Sequence, residues 1–251
     1  MDYKEYENME RFEKSYWWHR GRLYLLGRLI NTYLPERKGG LQLLEVGCGT
    51  GETIRLLSNF GEVTGIDVSE KAVEFCKGKG LQNILLGDVN KLDLSKHRNK
   101  YDAIFALDAL EHIQDDVEAM KRINEMLKEG GLFFLTVPAH KFLWSEHDEA
   151  LHHKRRYHSL ELLQKLQDAG FKPIKKSYFV FTAFLPIVFF RAWNSIFGKT
   201  AYPKTSYVML PKVLNDLATS VLKLETKLIQ KINFPVGTTI VAVAEKPKNK
   251  A

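Results

Sequence analysis

A chain of 251 residues with 45% hydrophobic and 27% charged residues has an ordinary globular composition, long enough for one large α/β domain with an insertion and tight for two. Its two cysteines, Cys48 and Cys76, have no metal-ligand spacing and make a reduced, cytoplasmic setting the default, and the polar start MDYKEYENMERFEKSYWW does not read as a signal peptide. The formal charge of +7 comes from scattered residues, densest at Lys154-Arg155-Arg156, Lys172/Lys175/Lys176 and the KPKNK tail; this is a solvated basic surface before it is a nucleic-acid site, with an anionic substrate or membrane surface as the alternative.

Apolar positions at helical spacing predict a helix over 19–34 that stops before Pro35. Lys38-Gly39-Gly40 leads into a strand over 41–46, and a helix over 52–60 follows a glycine turn. Strand two covers 63–66, Ser69 caps a helix running to about Lys79, and 83–86 is a short third strand ending in Gly87-Asp88. The almost wholly apolar YDAIFAL at 101–107 predicts a strand buried on both faces of a parallel sheet. A helix over 115–128 closes at Gly130-Gly131, and strand five covers 132–137. A helix over 159–169, a strand over 172–179 and a final strand over 236–244 complete the alternation of a doubly wound α/β sheet.

Residues 180–235 break that alternation. They open with the apolar VFTAFLPIVFFRAWNSIF and continue with an amphipathic helix over 211–231. A transmembrane crossing over 178–197 is rejected, because it would strand the last β-segment on the far side of the membrane. Two readings remain, a substrate lid or an interfacial element that makes peripheral contact with lipid through 180–197.

The chemistry begins at LQLLEVGCGTGE, where an apolar run ends in Glu45 and glycines alternate at Gly47, Gly49 and Gly51. A second apolar run then ends in Asp67, the position of a ribose-holding carboxylate. A dinucleotide fingerprint would need its third glycine where Glu52 stands, and a carboxylate at that helix start repels pyrophosphate. The acid-flanked turn suits a cationic, phosphate-free adenosine ligand, a description that S-adenosylmethionine meets.

The E-x-G-x-G-x-G turn, Asp67, the Gly87-Asp88 pair and FALDALEHIQD at 105–115 resemble, in order and spacing, the class I S-adenosylmethionine-dependent methyltransferases. The resemblance covers roughly 41–140 and implies a Rossmann-like seven-stranded sheet with helices on both faces, an antiparallel last strand and a helical insertion before it. YWWHR at 16–20, the block at 143–171 and FPVGTTIVAVAEK look like a narrower subgroup often found among cell-envelope glycan genes. The expected organisation is one domain: a helical cap over 1–40, a cofactor-binding core over 41–179, an apolar helical insert over 180–235 and a closing strand over 236–246.

By that resemblance Gly47, Cys48, Gly49 and Gly51 pass beneath the methionyl part of the cofactor, and Glu45 favours its positive end. Asp67 takes both ribose hydroxyls with Val68 beside it, Asp88 and the Val89 backbone meet the adenine, and Leu107 and Asp108 stand beside the transferring methyl. For Asp67 the bland alternative is a solvated strand-end acid, and for Asp88 a turn cap. His112, next to Glu111, serves a cap or a second layer as readily as a direct contact. Trp18 would cover the sulfonium and Arg20 hold the cofactor carboxylate; an aromatic staple that fixes the first helix accounts for the same residues.

His147, Asp148, His153, Arg155, Arg156 and Tyr157 follow strand five, where open α/β sheets place their substrate crevice. The functional reading makes His147 or His153 a general base oriented by Asp148, with Arg155, Arg156 and Tyr157 on the substrate; a structural hydrogen-bond network is the alternative. No metal is expected, since the spacing forms no closed ligand set. The expected reaction is in-line methyl transfer to an oxygen or nitrogen of a small or lipid- or glycan-linked acceptor, leaving S-adenosylhomocysteine. RNA methylation is a weaker reading, because no N/D-P-P-Y-type signature or RNA-binding module occurs, and a non-catalytic cofactor-binding scaffold is a third.

Overall fold

The tyrosine and aliphatic run that forms β4 (Tyr101–Leu107) is buried along nearly its whole length and becomes the centre of a single seven-stranded sheet in a computed structural model of the protein. The structure describes residues 3–34, 40–197 and 210–248. Around β4 stand β1 (Leu41–Val46), β2 (Gly61–Asp67), β3 (Ile84–Leu86), β5 (Leu127–Pro138), β6 (Lys172–Phe179) and β7 (Thr239–Glu245), in the order β3-β2-β1-β4-β5-β7-β6. The first five strands run parallel, and β7 inserts antiparallel between β5 and β6 with Phe134 opposite Val243 and Ser177 opposite Val241. This is the Rossmann-like methyltransferase sheet that the motif order implied. With β7 held on both sides in the sheet, the chain between β6 and β7 returns to the same side, and no described helix is long and apolar enough to cross a membrane.

Helices α3 (Glu52–Leu57), α4 (Glu70–Gly78), α5 (Asp116–Met126) and α7 (Ser159–Asp168) make the crossovers, with a short α6 (Glu146–Ala150) after β5. Ser69 caps α4 and Asp115 caps α5 through side-chain oxygens that accept the Ala72 and Glu118 N–H groups. Several boundaries differ from the sequence expectation, among them α3, which ends at Leu57, and β2, which begins at Gly61. Helix α5 ends at Met126, and Gly130-Gly131 lies inside β5, at an irregularity where the β4 register shifts between Tyr101 and Ala103. Strand β7 begins at Thr239, the first residue paired on both sides, with Pro138 of β5 and Phe179 of β6.

Two helices precede the sheet, α1 (Tyr3–Phe12) and α2 (Trp17–Tyr33), and two lie in the insertion, α8 (Phe184–Phe197) and α9 (Lys212–Ile229). Helix α9 packs on α2 so closely that a Cβ on Gly21 would lie 2.4 Å from Leu222 Cδ1. Arg20 bonds Asp216 across 2.6 Å, and Asn215 accepts the Trp17 N–H at 2.9 Å. The Glu225 carboxylate accepts the N–H groups of Phe181 and Thr182, which ties the start of the insertion to α9.

Candidate active site

At the carboxyl ends of β1, β2 and β4 the three turns part around a cavity of about 760 Å³. The glycine turn forms its floor. Gly47 and Gly51 hold φ of 76° and 89°, and a Cβ on Gly47 would lie 2.7 Å from the Ala109 Cβ, so the backbone reaches the cavity bare. Cys48 lines the floor as a free thiol hydrogen-bonded to the buried Cys76 thiol, a contact that, with burial, pushes the Cys48 pKa up and keeps it protonated.

Asp67 lines the wall at the end of β2, where its oxygens accept Gly49 N–H and Ser69 N–H, both at 2.9 Å. Burial raises its pKa while those N–H groups pull it down, and each oxygen keeps a lone pair for a further donor. Val68, Asp88, Val89, Leu107 and Asp108 line the same cavity. Asp88 also caps its turn through Asn90 N–H at 2.9 Å, so the capping and lining roles coexist.

Glu45 is buried at the back of the cavity, where burial pushes its carboxyl pKa well up, and its Oε2 has no hydrogen-bond partner among the described residues. A buried carboxylate oxygen of this kind needs a donor or a cation. The ammonium group of S-adenosylmethionine meets that need, and with the bare glycine floor and the Asp67 oxygens it makes the residues present fit this cofactor.

On the α2 side, Arg22 lines the cavity. Its Nη1 donates to Asp108 Oδ2 at 2.7 Å, and its guanidinium lies 4.8 Å from the Trp18 ring centroid. Arg20 is not among the lining residues, because positions two apart on a helix point to opposite faces and α2 turns Arg20 toward α9. Trp17 and Trp18 both line the cavity. Tyr6, Met9 and Glu13 close over it from the N-terminal segment, Glu13 accepting the Thr50 hydroxyl and the Lys79 ammonium. Sequence reasoning did not find these three; burial pattern gives no hint of them, since they face a cavity and not the core.

On the far side stand His147, His153 and His112. His153 Nδ1 lies 2.9 Å from Asp148 Oδ1, while Arg156 grips the same carboxylate with Nε at 2.7 Å and Nη2 at 3.0 Å. Burial alone would raise the Asp148 pKa, but the bonds from His153 and Arg156 outweigh it and hold the group ionised below the usual carboxylate range. Facing an anion, His153 Nδ1 is the donor of that bond, and the Nε2 of this cavity-lining ring lies 4.0 Å from the buried Glu111 Oε1. The His112 ring meets His153 edge-on at 4.7 Å, and burial, followed by that neighbour, lowers the His112 pKa to about 3. Glu111 is wholly buried beside them; burial and then Asp108 push its carboxyl well up. Donor atoms of Glu111, His112 and His153 lie within 4.8 Å of one another, a juxtaposition the sequence spacing did not reveal.

The three residues expected on the substrate are held by the protein itself. Arg156 is buried on Asp148 and the Ala139 carbonyl, Arg155 bonds Asp116 at 2.6 Å and the Gln114 carbonyl at 2.7 Å, and the buried Tyr157 hydroxyl donates to Asp116 at 2.8 Å. Of the three, only Arg156 lines the cavity.

A family model described as a methyltransferase domain matches residues 17–176. The chain belongs to this family. Among curated relatives, the ubiquinone biosynthesis O-methyltransferase of Escherichia coli O81 (strain ED1a) is 28% identical over 156 residues, or 57% of this chain and 65% of the relative, so the match spans about two thirds of that protein's length. A S-adenosylmethionine-dependent methyltransferase from Archaeoglobus fulgidus shares the fold with a TM-score of 0.60 and 20% identity, covering 98% of this chain and 100% of that one. Haemonchus contortus phosphoethanolamine N-methyltransferase 2, solved with S-adenosyl-L-methionine, does so with a TM-score of 0.57 and 19% identity over 89% of this chain and 52% of its own. The cofactor of this methyltransferase domain is S-adenosylmethionine, and the cavity walls described above are the ones that fit it.

Proposed function

We propose that this methyltransferase methylates a hydroxyl oxygen of a small or lipid- or glycan-linked acceptor, with His153 as the general base. The observation that supports the reading is the Asp148–His153 pair, which holds a cavity-lining histidine by its Nδ1 and leaves its Nε2, 4.0 Å from the Glu111 Oε1, outside hydrogen-bond distance of that carboxyl. When bound, S-adenosylmethionine supplies a methyl on a good leaving group, so most of the acceleration comes from orientation in a closed site. Gly47 to Gly51, Asp67, Glu45 and Arg22 hold the cofactor; Trp17, Trp18 and the α1 side chains keep water out. His153 Nε2 takes the acceptor's hydroxyl proton and Asp148 stabilises the resulting imidazolium, as a carboxylate behind a histidine does.

A nitrogen acceptor that is already neutral would not need that base, and the relative named as an O-methyltransferase supports oxygen. Arg155 and Arg156 have their guanidinium groups engaged on Asp116 and Asp148, which weakens the case for a phosphate-rich acceptor such as RNA. Two free buried thiols suit a reduced, cytoplasmic compartment. Cell-extract fractions incubated with methyl-labelled cofactor test the proposal. Label recovered as an O-methyl group, and lost with His153→Ala, is the expected result; label on nitrogen or carbon overturns it.

A further inference from the structure

Helix α9 is apolar on two opposite faces. Its inner face buries Leu222, Thr226 and Ile229 against α2, which accounts for one stripe of a surface helix. The other face carries Val213, Leu217, Leu224 and Leu228, in phase with one another and opposite the buried set, with Val213 78% and Leu217 60% exposed. Helix α8 repeats the pattern. Leu185, Phe189 and Trp193 recur every four residues, and Leu185 and Phe189 are 73% and 68% exposed. Exposed apolar rows on two successive helices of the insertion exceed the scattered leucines of an ordinary surface.

Charge identifies what covers them. Residues 180–232 contain seven lysines or arginines and two acids. Both acids are already engaged, Asp216 with Arg20 and Glu225 with the N–H groups of Phe181 and Thr182, whereas Lys212, Lys227 and Lys231 are exposed. Apolar rows bordered by uncompensated lysines match an anionic lipid surface, where leucine and aromatic side chains enter the acyl boundary and lysines stay at the headgroups. A protein partner would satisfy the apolar rows alone; the one-sided charge favours phospholipid. The position of α8 gives the surface a use, since Ile187 and the preceding Val180 line the active-site cavity while Leu185 and Phe189 point outward.

We propose that the outer faces of α8 and α9 dock this methyltransferase on an anionic membrane and set the cavity mouth against it, so that the acceptor is an amphiphile drawn from the bilayer. The substrate half of this proposal rests on the reaction proposed above; the docking half does not.

Co-sedimentation with phosphatidylcholine vesicles, with and without phosphatidylglycerol, tests it on the full chain. The expected result is binding to the phosphatidylglycerol vesicles that weakens with salt. In Leu185→Ser/Phe189→Ser and in Val213→Ser/Leu217→Ser the partition coefficient falls roughly tenfold per large side chain removed, while calorimetric affinity for S-adenosylhomocysteine stays unchanged. Lys212→Glu/Lys227→Glu/Lys231→Glu, which leaves both apolar rows intact, must also lose the anionic vesicles. Wild-type protein that binds S-adenosylhomocysteine yet stays in the supernatant at low salt overturns the docking surface and leaves the O-methylation reading standing. Self-association abolished by the serine variants, without vesicle binding, overturns it as well and assigns the rows to a second copy. Vesicle binding with no methylated lipid in a total lipid extract overturns the substrate half alone.

Discussion

Arg22 and Asp108 meet across 2.7 Å and join α2 to the end of β4 at the cavity wall, with both side chains mostly shielded from solvent. The Thr136 hydroxyl donates to the same carboxylate at 3.0 Å, so Asp108, held at a φ of 53°, is fixed from two sides. Arg22→Ala is therefore expected to leave Asp108 half-satisfied and to weaken S-adenosylhomocysteine binding by about tenfold. Arg20→Ala, which removes only the exposed bridge to Asp216, is expected to change that affinity by less than about twofold. Calorimetry on the two variants decides between the neighbouring arginines, and equal effects would contradict the assignment.

Asp67 accepts two backbone N–H groups and still faces the cavity, so it sets the shape of the glycine turn and keeps lone pairs for a bound ligand. Asp67→Ala is expected to lower the affinity for S-adenosylhomocysteine by about a hundredfold, the size of two lost bonds to a charged acceptor. Unchanged affinity in a folded variant would remove the cofactor site from this end of the sheet.

His153→Gln is expected to slow methyl transfer by about two to three orders of magnitude while S-adenosylhomocysteine binds as in the wild type. His147→Ala, whose ring lies 6.4 Å from that of His153, is expected to have the smaller effect. Asp148→Ala acts differently. It leaves the buried Arg156 guanidinium uncompensated and should lower stability by about 3–5 kcal/mol, measured by urea unfolding. Full turnover in both histidine variants would dismiss the general base.

The sheet and the glycine floor of the cavity were legible because each rests on local chemistry. Strand β4 could be read from an unbroken apolar run, and the glycine turn from residues that occupy consecutive positions. The far wall was legible in part, since His153 and Asp148 are five residues apart and the chain reverses between them just after α6, at His152 with a φ of 57°, where His153 N–H donates to the Asp148 carbonyl at 2.9 Å. Contacts between distant segments were not. Nothing local distinguishes Arg22 from Arg20 until α9 packs on one face of α2, and nothing pairs Glu13 with Thr50 until α1 folds across the turn. The end of α5 was misplaced because Gly130-Gly131 matches a helix stop in sequence but serves a strand irregularity in the sheet.

His19 supplies a test of the cap's electrostatics. It is buried on α2, and burial, followed by the Arg22 charge, lowers its pKa from 6.5 to about 3. The folded state thus binds this proton less readily than the unfolded state, where the imidazole titrates near its ordinary value. Above pH 7 both states hold it neutral and it has no effect on stability. As the pH falls from 6.5 toward 3 the unfolded chain takes up the proton first, so stability is lost across that window. Asp67, Glu45 and Glu111, all raised in the fold, oppose this trend, and only a difference between variants isolates the histidine. Relative to wild type, His19→Gln should gain about 2 kcal/mol of unfolding free energy between pH 7.5 and pH 5, at roughly 1.4 kcal/mol per unit below 6.5. Parallel urea titrations at the two pH values measure it. A constant offset between the proteins would mean that His19 is protonated in the folded state, and that the first turn of α2 admits water.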